Sequence, residues 1–425
     1  MRMSRFAATG AAAIAALATV GVAGATAPPS EPTADDAAFE FAQCMRDNGV
    51  TAFPDPQVDA GGGIFIQAPE GVTPEEMAPA RAACEHILGG GGAAASGDSD
   101  WEKVVPGGDC ECADGSEFAF WVREGDPNKV VLYLDGGGSC FDETSCDFTG
   151  YVGENDYYDF SQAGETPGLG GGVFDFERAD NPLADYTIIY LSLCTGDVYL
   201  GDVTREYSPE LTVEHNGFVN GSAGLTYLAE NYPDASQVVV VGKTAGSIAA
   251  PIYGGLVSDL LPDAQVTVFG AQSGGFPDDP EFNAEILGEL WGAYGNMPDW
   301  EVNEGLTASD WGINRFWIQA GLHDPDILMA RFDYAYDANA ARGVEQLTGE
   351  PQDLLALIDA NEAAIEAAGV TQHSYTAPGD DHGIFEFDAF YEIEVNGVRL
   401  VDWVAALLAG EPLDDVHCAD CGRPA

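Results

Sequence analysis

From residue 101 onward, short apolar runs alternate with longer stretches of helical spacing. Lys129-Val-Val-Leu-Tyr-Leu134, Tyr186-Thr-Ile-Ile-Tyr-Leu191, Gln237-Val-Val-Val-Val241 and Gln265-Val-Thr-Val-Phe269 are rich in β-branched and aromatic residues. Such runs mark strands buried on both faces. Arg315 to Gln319, Ile327 to Phe332 and His373 to Ala377 read as further strands. Gly221 to Asn231 and Gln352 to Ala368 carry a helical period between them. Strands alternating with helices predict an α/β fold, a mostly parallel sheet with helices on both faces.

The first 100 residues follow a different plan. Arg2 and Arg5 precede an apolar, Ala-rich run from Phe6 to about Val22, and small residues follow, with cleavage expected after Ala25 or Ala27. This is the pattern of a secretory signal peptide over residues 1–27. Residues 28–36 read as a linker and 37–88 as a small helical module. Its first helix spans Ala37 to Asn48. The second starts at Thr73-Pro-Glu-Glu76, with Thr73 at the N-cap, and runs to about Leu88. Cys44 and Cys84 fall one on each helix, so a disulfide between them would staple a unit too small for a large core. A Gly/Ala/Ser linker over 89–100 separates this module from a domain spanning 101–425. No later stretch approaches the length of apolar sequence that a membrane span requires.

Composition narrows the function. Asp and Glu number 71 against 15 Lys and Arg, a formal charge of −56. That surface repels phosphate backbones, which excludes nucleic acid as a partner, and disfavours anionic membranes. Disorder does not follow, because 46% of the residues are hydrophobic and 10% aromatic. The nine cysteines suit an exported, partly disulfide-bonded chain, with at least one thiol left over or paired outside the chain. Cys110-x-Cys112 and Cys418-x-x-Cys421 also resemble zinc ligands, but the spacing lacks a regular pair of pairs. Cys140 and Cys146 suit a local disulfide, and the tail cysteines suit a tie back to Cys110, Cys112 or Cys194.

The chemistry concentrates at Val241-Gly242-Lys243-Thr244-Ala245-Gly246-Ser247. A strand running through Gly-x-hydroxyl-x-Gly into a helix is the pattern of a nucleophile elbow, with Thr244 where Ser is usual. Gly-Lys-Thr also suggests a phosphate loop, but Gln237 stands where that motif needs a further glycine. A merely structural turn is the third reading. Ser247 lies one helical turn on and would not point outward. Leu134-Asp-Gly-Gly-Gly-Ser-Cys140 follows an earlier strand, and its glycines can turn N–H groups toward an oxyanion. Asp337 and His382 complete the chain order hydroxyl, acid, histidine. Asp333 and Asp324 are alternative acids. His323, His215 and His373 read as structural, Asp380 and Asp381 as solvated carboxylates, and no metal or cofactor is expected.

These segments, with Cys110-Glu-Cys112-Ala-Asp-Gly-Ser, Leu193-Cys-Thr-Gly-Asp197-Val-Tyr-Leu-Gly201-Asp202 and Asn216-Gly-Phe-Val-Asn220, resemble the pectin acetylesterase/Notum family of α/β-hydrolases, particularly its bacterial, exported members. The resemblance covers roughly residues 108–421. It implies hydrolysis of carboxylesters on acylated small molecules, carbohydrates or lipid-modified substrates, and an extracellular location. It places the nucleophile on Thr244, the acid on Asp337 and the base on His382. It places the oxyanion donors on the N–H groups of Gly137 or Gly138 and of Ala245. Thr for Ser adds a methyl to a crowded turn. That departure leaves an alternative: a binding protein on the same fold with weak turnover or none.

Overall fold

The computed structural model describes residues 34–54, 57–58, 64–65, 80, 84, 101–146, 171–419 and 421–422. Nine strands form one sheet: β1 (Trp101–Val104), β2 (Phe120–Arg123), β3 (Asp126–Leu134), β4 (Tyr186–Leu191), β5 (Gln237–Lys243), β6 (Gln265–Ala271), β7 (Leu328–Tyr334), β8 (Gln372–Ala377) and β9 (Val416–His417). Their spatial order is β1-β2-β4-β3-β5-β6-β7-β8-β9. From β4 to β9 every neighbour pair is parallel. At the other edge β2 runs antiparallel to β4 and β1 antiparallel to β2.

Helices cover both faces. Numbered in chain order after α1 (Ala34–Asp47), which packs in a separate small core, they include α2 (Gly217–Asn231), α3 (Ala245–Leu260), α4 (Ile313–His323), α5 (Ala338–Thr348), α6 (Leu354–Ala367) and α7 (Leu400–Leu408). The period-two alternation of a strand sorts its side chains between two cores. Val130, Leu132, Val238, Val240 and Val268 face a core shared with Ile252, Tyr253 and Val257 of α3. Val131, Tyr133, Val239, Val241 and Phe269 face the opposite core, with Trp403 and Leu407 of α7. Burial on both faces is why these runs are continuously apolar.

One expected strand is a helix. Arg315 to Gln319 lies within α4. Phe316, Trp317, Ile318, Gln319 and Ala320 are all buried because α4 packs against both α3 and α6. A helix covered almost all round loses its polar stripe, and five residues of it cannot be told from a buried strand.

The first helix begins at Ala34, inside the expected linker. Phe41, Met45, Val50 and Phe53 form a small core with Ala80 and Cys84. Ala80 and Cys84 are helical. The rest of the helix expected from Thr73 to Leu88, the leader at 1–27, residues 28–33 and the linker at 89–100 lie outside the described residues, apart from residue 80 and residue 84.

Four disulfides are present: Cys44–Cys84, Cys112–Cys194, Cys140–Cys146 and Cys418–Cys421. Cys110 keeps a buried thiol. The tail therefore does not tie back to Cys110, Cys112 or Cys194. Its two cysteines face each other across a three-residue step just after β9, the edge strand. Those sulfurs lie near His417 in a grouping of metal-binding size, but they are bonded to each other. Among the described residues, no helix is long and apolar enough to cross a membrane.

Candidate active site

Register brings the loops together. Leu134 of β3 pairs with Gly242 of β5, and Gly242 pairs with Gly270 of β6. The residues that follow these positions emerge at one edge of the sheet, where strand order reverses between β3 and β5. Parallel sheets leave an open crevice at such a point.

Thr244 forms the turn between β5 and α3, with φ 44° and ψ −108°. That is unfavourable for a β-branched residue and marks a strained elbow. Two hydrogen bonds hold it: Thr244 N–H donates to the Ala271 carbonyl at 2.9 Å, and Ser247 N–H to the Thr244 carbonyl at 3.0 Å. The flanking glycines are required by space. A Cβ on Gly246 would lie 2.1 Å from the Leu134 carbonyl oxygen, and one on Gly242 would lie 2.5 Å from that of Gly246. Gly136 sits directly over the hydroxyl: a Cβ there would lie 2.2 Å from Thr244 Oγ1.

Asp337 and His382 meet. Asp337 caps the N-terminus of α5, its Oδ1 accepting from the N–H groups of Asn339 (2.9 Å) and Ala340 (2.8 Å). Its Oδ2 lies 2.7 Å from His382 Nδ1. The cap orients the buried carboxylate, and the carboxylate orients the ring. The loop carrying His382 is knit to the Asp337 segment by Tyr336 N–H to Gly379 O and Ala338 N–H to Asp380 O, both 3.0 Å. No hydrogen bond joins Thr244 to His382 among the described residues.

The alternative acids lie elsewhere. Asp333 pairs with Arg331 at 2.7 Å and accepts from Gly274 N–H. Burial pushes its carboxyl up to about 6, against the opposing pull of Arg331. Asp324 closes the C-terminus of α4. Ser247 is fully buried, and its Oγ lies 2.6 Å from Ser273 Oγ. His215 is held between the Thr195 carbonyl and the Tyr207 hydroxyl, both at 2.8 Å, and His323 stacks on Trp300.

Gly137 and Gly138 have positive φ, at 148° and 75°. Their N–H groups and that of Ala245 have no partner among the described residues. Below them a narrow apolar pocket of about 20 Å³, room for about one water, is lined by Gly138, Thr244, Ala245, Ile248, Phe276 and Trp291, among others. Gly137 and His382 are not part of its wall. Among the described residues five non-glycines have positive φ, and three of these, Val198, Thr244 and Gln272, line this pocket. Strain gathered in one place signals a functional region.

Sequence reasoning missed the ion cluster behind the elbow. Lys243 Nζ is ion-paired with Glu386 and lies 3.4 Å from Asp135 Oδ1. Asp135 also accepts from the Tyr190 hydroxyl and from Gly136 N–H. Burial pulls the Lys243 pKa down, but Asp135 and Glu386 outweigh it and hold the ammonium charged. The charge joins three loops: the glycine run, the elbow, and the segment after His382. It also leaves this lysine committed to carboxylates, not to a phosphate. The acidic residues beside Gly136 and four after His382 were visible in the sequence, but their convergence was not.

Residues 105–289 match the family described as pectinacetylesterase. Over 149 residues, 32% of this chain and 26% of the other, the sequence is 24% identical to a palmitoleoyl-protein carboxylesterase NOTUM of Schmidtea mediterranea. The chain thus spans about a quarter of the length of that curated relative. The fold is similar to the Wnt deacylase Notum of Drosophila, with a TM-score of 0.54 and 16% identity over 75% of this chain and 96% of that one. The sheet order, the elbow and these matches agree on what the chain is similar to: residues 105–289 match the pectinacetylesterase family, and the mostly parallel sheet has the fold of Notum.

Proposed function

We propose that this protein is an exported carboxylester hydrolase that removes acyl groups, with Thr244 as nucleophile, His382 as general base and Asp337 as the group that orients it. The observation that carries the reading is a strained hydroxyl-bearing elbow, opening on an apolar pocket, in a fold that also supplies a carboxylate–histidine pair.

In this reading His382 takes the Thr244 proton as Oγ1 attacks the ester carbonyl. The oxyanion is received by N–H groups of Gly137 or Gly138 and of Ala245. Collapse expels the alcohol with the proton from His382, leaving an acyl-threonine. Water, activated by the same histidine, then releases the acid. The Thr244–His382 hydrogen bond forms with substrate in place, as catalytic contacts often do. The names of the relatives, a palmitoleoyl-protein carboxylesterase and a Wnt deacylase, point to acyl substrates, and the apolar lining of the pocket suits an acyl chain once its walls part. Export is supported by the leader-like residues 1–27 and by the disulfides.

The missing Thr244–His382 contact and the added Thr methyl favour a second reading, a pocket that binds esters without turning them over. The test is hydrolysis of 4-nitrophenyl acetate and butanoate. The enzyme reading expects turnover that falls about 10⁴–10⁶-fold in Thr244→Ala and His382→Ala, as for members of a catalytic triad. Inert wild type with activity gained in Thr244→Ser supports the binding reading. Wild-type rates in Thr244→Ala would refute the nucleophile assignment.

A further inference from the structure

At the carboxyl end of β6, next to the elbow, stands a residue the hydrolysis scheme does not use. Gln272 lines the pocket with Thr244 and Ala245 and is 3% exposed. Neither its amide nitrogen nor its amide oxygen has a hydrogen-bond partner among the described residues. Its neighbours along the wall include Val198, Ile248, Phe276, Leu287 and Ile313, all apolar. A buried amide with both functions unpaired is unfavourable, and native proteins keep few such groups. A methionine would fill the same length without that penalty.

The backbone adds a second unfavourable feature at the same position. Gln272 has φ 65°, and its N–H donates to the Phe332 carbonyl at 2.8 Å. The preceding residue, Ala271, supplies the carbonyl that holds Thr244 N–H. The amide is thus carried on the same strand end that fixes the nucleophile's turn. An unpaired polar side chain held in strained backbone beside a reacting centre points to a partner supplied by the ligand.

The side of the ligand follows from the lining. The pocket runs under Ala245 and Ile248, at the start of α3, and His382 is not part of its wall. The histidine must hand a proton to the departing alcohol, so the alcohol lies on its side and the acyl chain lies in the pocket. The kind of group follows from the amide. It offers one acceptor and two donor protons, both sides unpaired. A hydroxyl can accept from Nε2 and donate to Oε1, whereas a bare carbonyl only accepts.

We infer that Gln272 is a specificity-determining residue that selects a hydroxyl-bearing acyl chain over a plain alkyl one. This rests on the esterase reading above. An extra methylene in an apolar pocket changes kcat/KM by only about 10- to 200-fold, whereas a site that leaves buried hydrogen-bonding groups unpaired rejects the wrong ligand more strongly.

The experiment compares 4-nitrophenyl butanoate with its 2-hydroxy and 3-hydroxy derivatives, in wild type and in Gln272→Met. Wild type should prefer one hydroxy ester by more than about 200-fold in kcat/KM, and Gln272→Met should bring that ratio to about one or below. Gln272→Asn, which keeps the amide and tolerates positive φ, provides a second variant should the Met protein misfold, and should shift the preferred hydroxyl position. A ratio equal in wild type and Gln272→Met, or a wild type faster on the plain ester, overturns the inference. If no ester is hydrolysed, the esterase reading fails by itself. The inference is then decided by thermal shift with butanamide and the 2- and 3-hydroxybutanamides. A larger shift for a hydroxy amide, lost in Gln272→Met, upholds it, and equal shifts overturn it.

Discussion

Gly136 shows how closely the glycine run passes over the Thr244 hydroxyl. A Cβ there would lie 2.2 Å from Thr244 Oγ1, against 3.3 Å from the Lys243 stem, the next contact. Thr has few χ1 wells, so the hydroxyl cannot turn away freely. Gly136→Ala should therefore lower kcat/KM by about 10²-fold, the size expected when a reacting group is displaced by about 1 Å. The melting temperature should change little. An equal loss of stability and activity would instead make this a folding position.

Asp333 gives a residue-scale prediction of the opposite kind. Its carboxyl titrates near 6, raised by burial, against an ordinary 3.8. A raised folded pKa favours the protonated form, so the stability it contributes is full below about 4 and is lost as pH rises through about 6. Two units correspond to about 3 kcal/mol. The stability of wild type minus that of Asp333→Asn should fall as pH goes from 4 to 7. A difference that rises over that range would show that Arg331 dominates the site.

At the scale of elements, the candidate site depends on three loops from different strands. Lys243, Asp135 and Glu386 tie them together, with the lysine side chain 18% exposed and the carboxylates 6% and 5%. Removing the cation leaves two buried carboxylates facing each other. Lys243→Met should cost about 3–5 kcal/mol, as for other broken buried ion groups. Adding Glu386→Gln should return part of that stability, because one unpaired charge is removed. Chemical denaturation of the single and double variants measures both. Additive losses would show that the three groups do not act as a unit.

The α4 segment teaches a related lesson about elements. Its Arg-Phe-Trp-Ile-Gln stretch has the composition of a strand, yet it is a helix pressed between α3 and α6. The strands β3 to β8 were legible because flanking turns and helices bounded each run. The strands β1 and β2 were not, since Glu102, Lys103 and Arg123 break their apolar pattern on the exposed side. β2 is covered on one face only, and β1 is the edge strand, where charge hinders further pairing.

At the scale of the whole molecule, the charge of −56 acts on everything at once. Self-repulsion opposes the compact state and is screened by salt, with a Debye length of about 10 Å at 0.1 M and 3 Å at 1 M. The melting temperature should rise by several degrees between low ionic strength and 1 M sodium chloride. The rise should be similar with potassium chloride, because screening does not depend on ion identity. Indifference to salt would show that the carboxylates are spread too widely to interact.

What the linear chain determined by itself is the α/β class, the family resemblance, the elbow at Thr244 and the order of hydroxyl, acid and histidine. Those properties live in local patterns: apolar runs, glycine spacing, and motifs read within about ten residues. Tertiary structure decided the rest. It set Asp337 against His382, turned Asp333 toward Arg331, paired Cys112 with Cys194, folded the Arg315 segment as a helix, and left the Gln272 amide unpaired in an apolar pocket. Each of these is a contact or an environment formed by distant segments. Their approach is fixed by sheet register and burial, which no local pattern encodes.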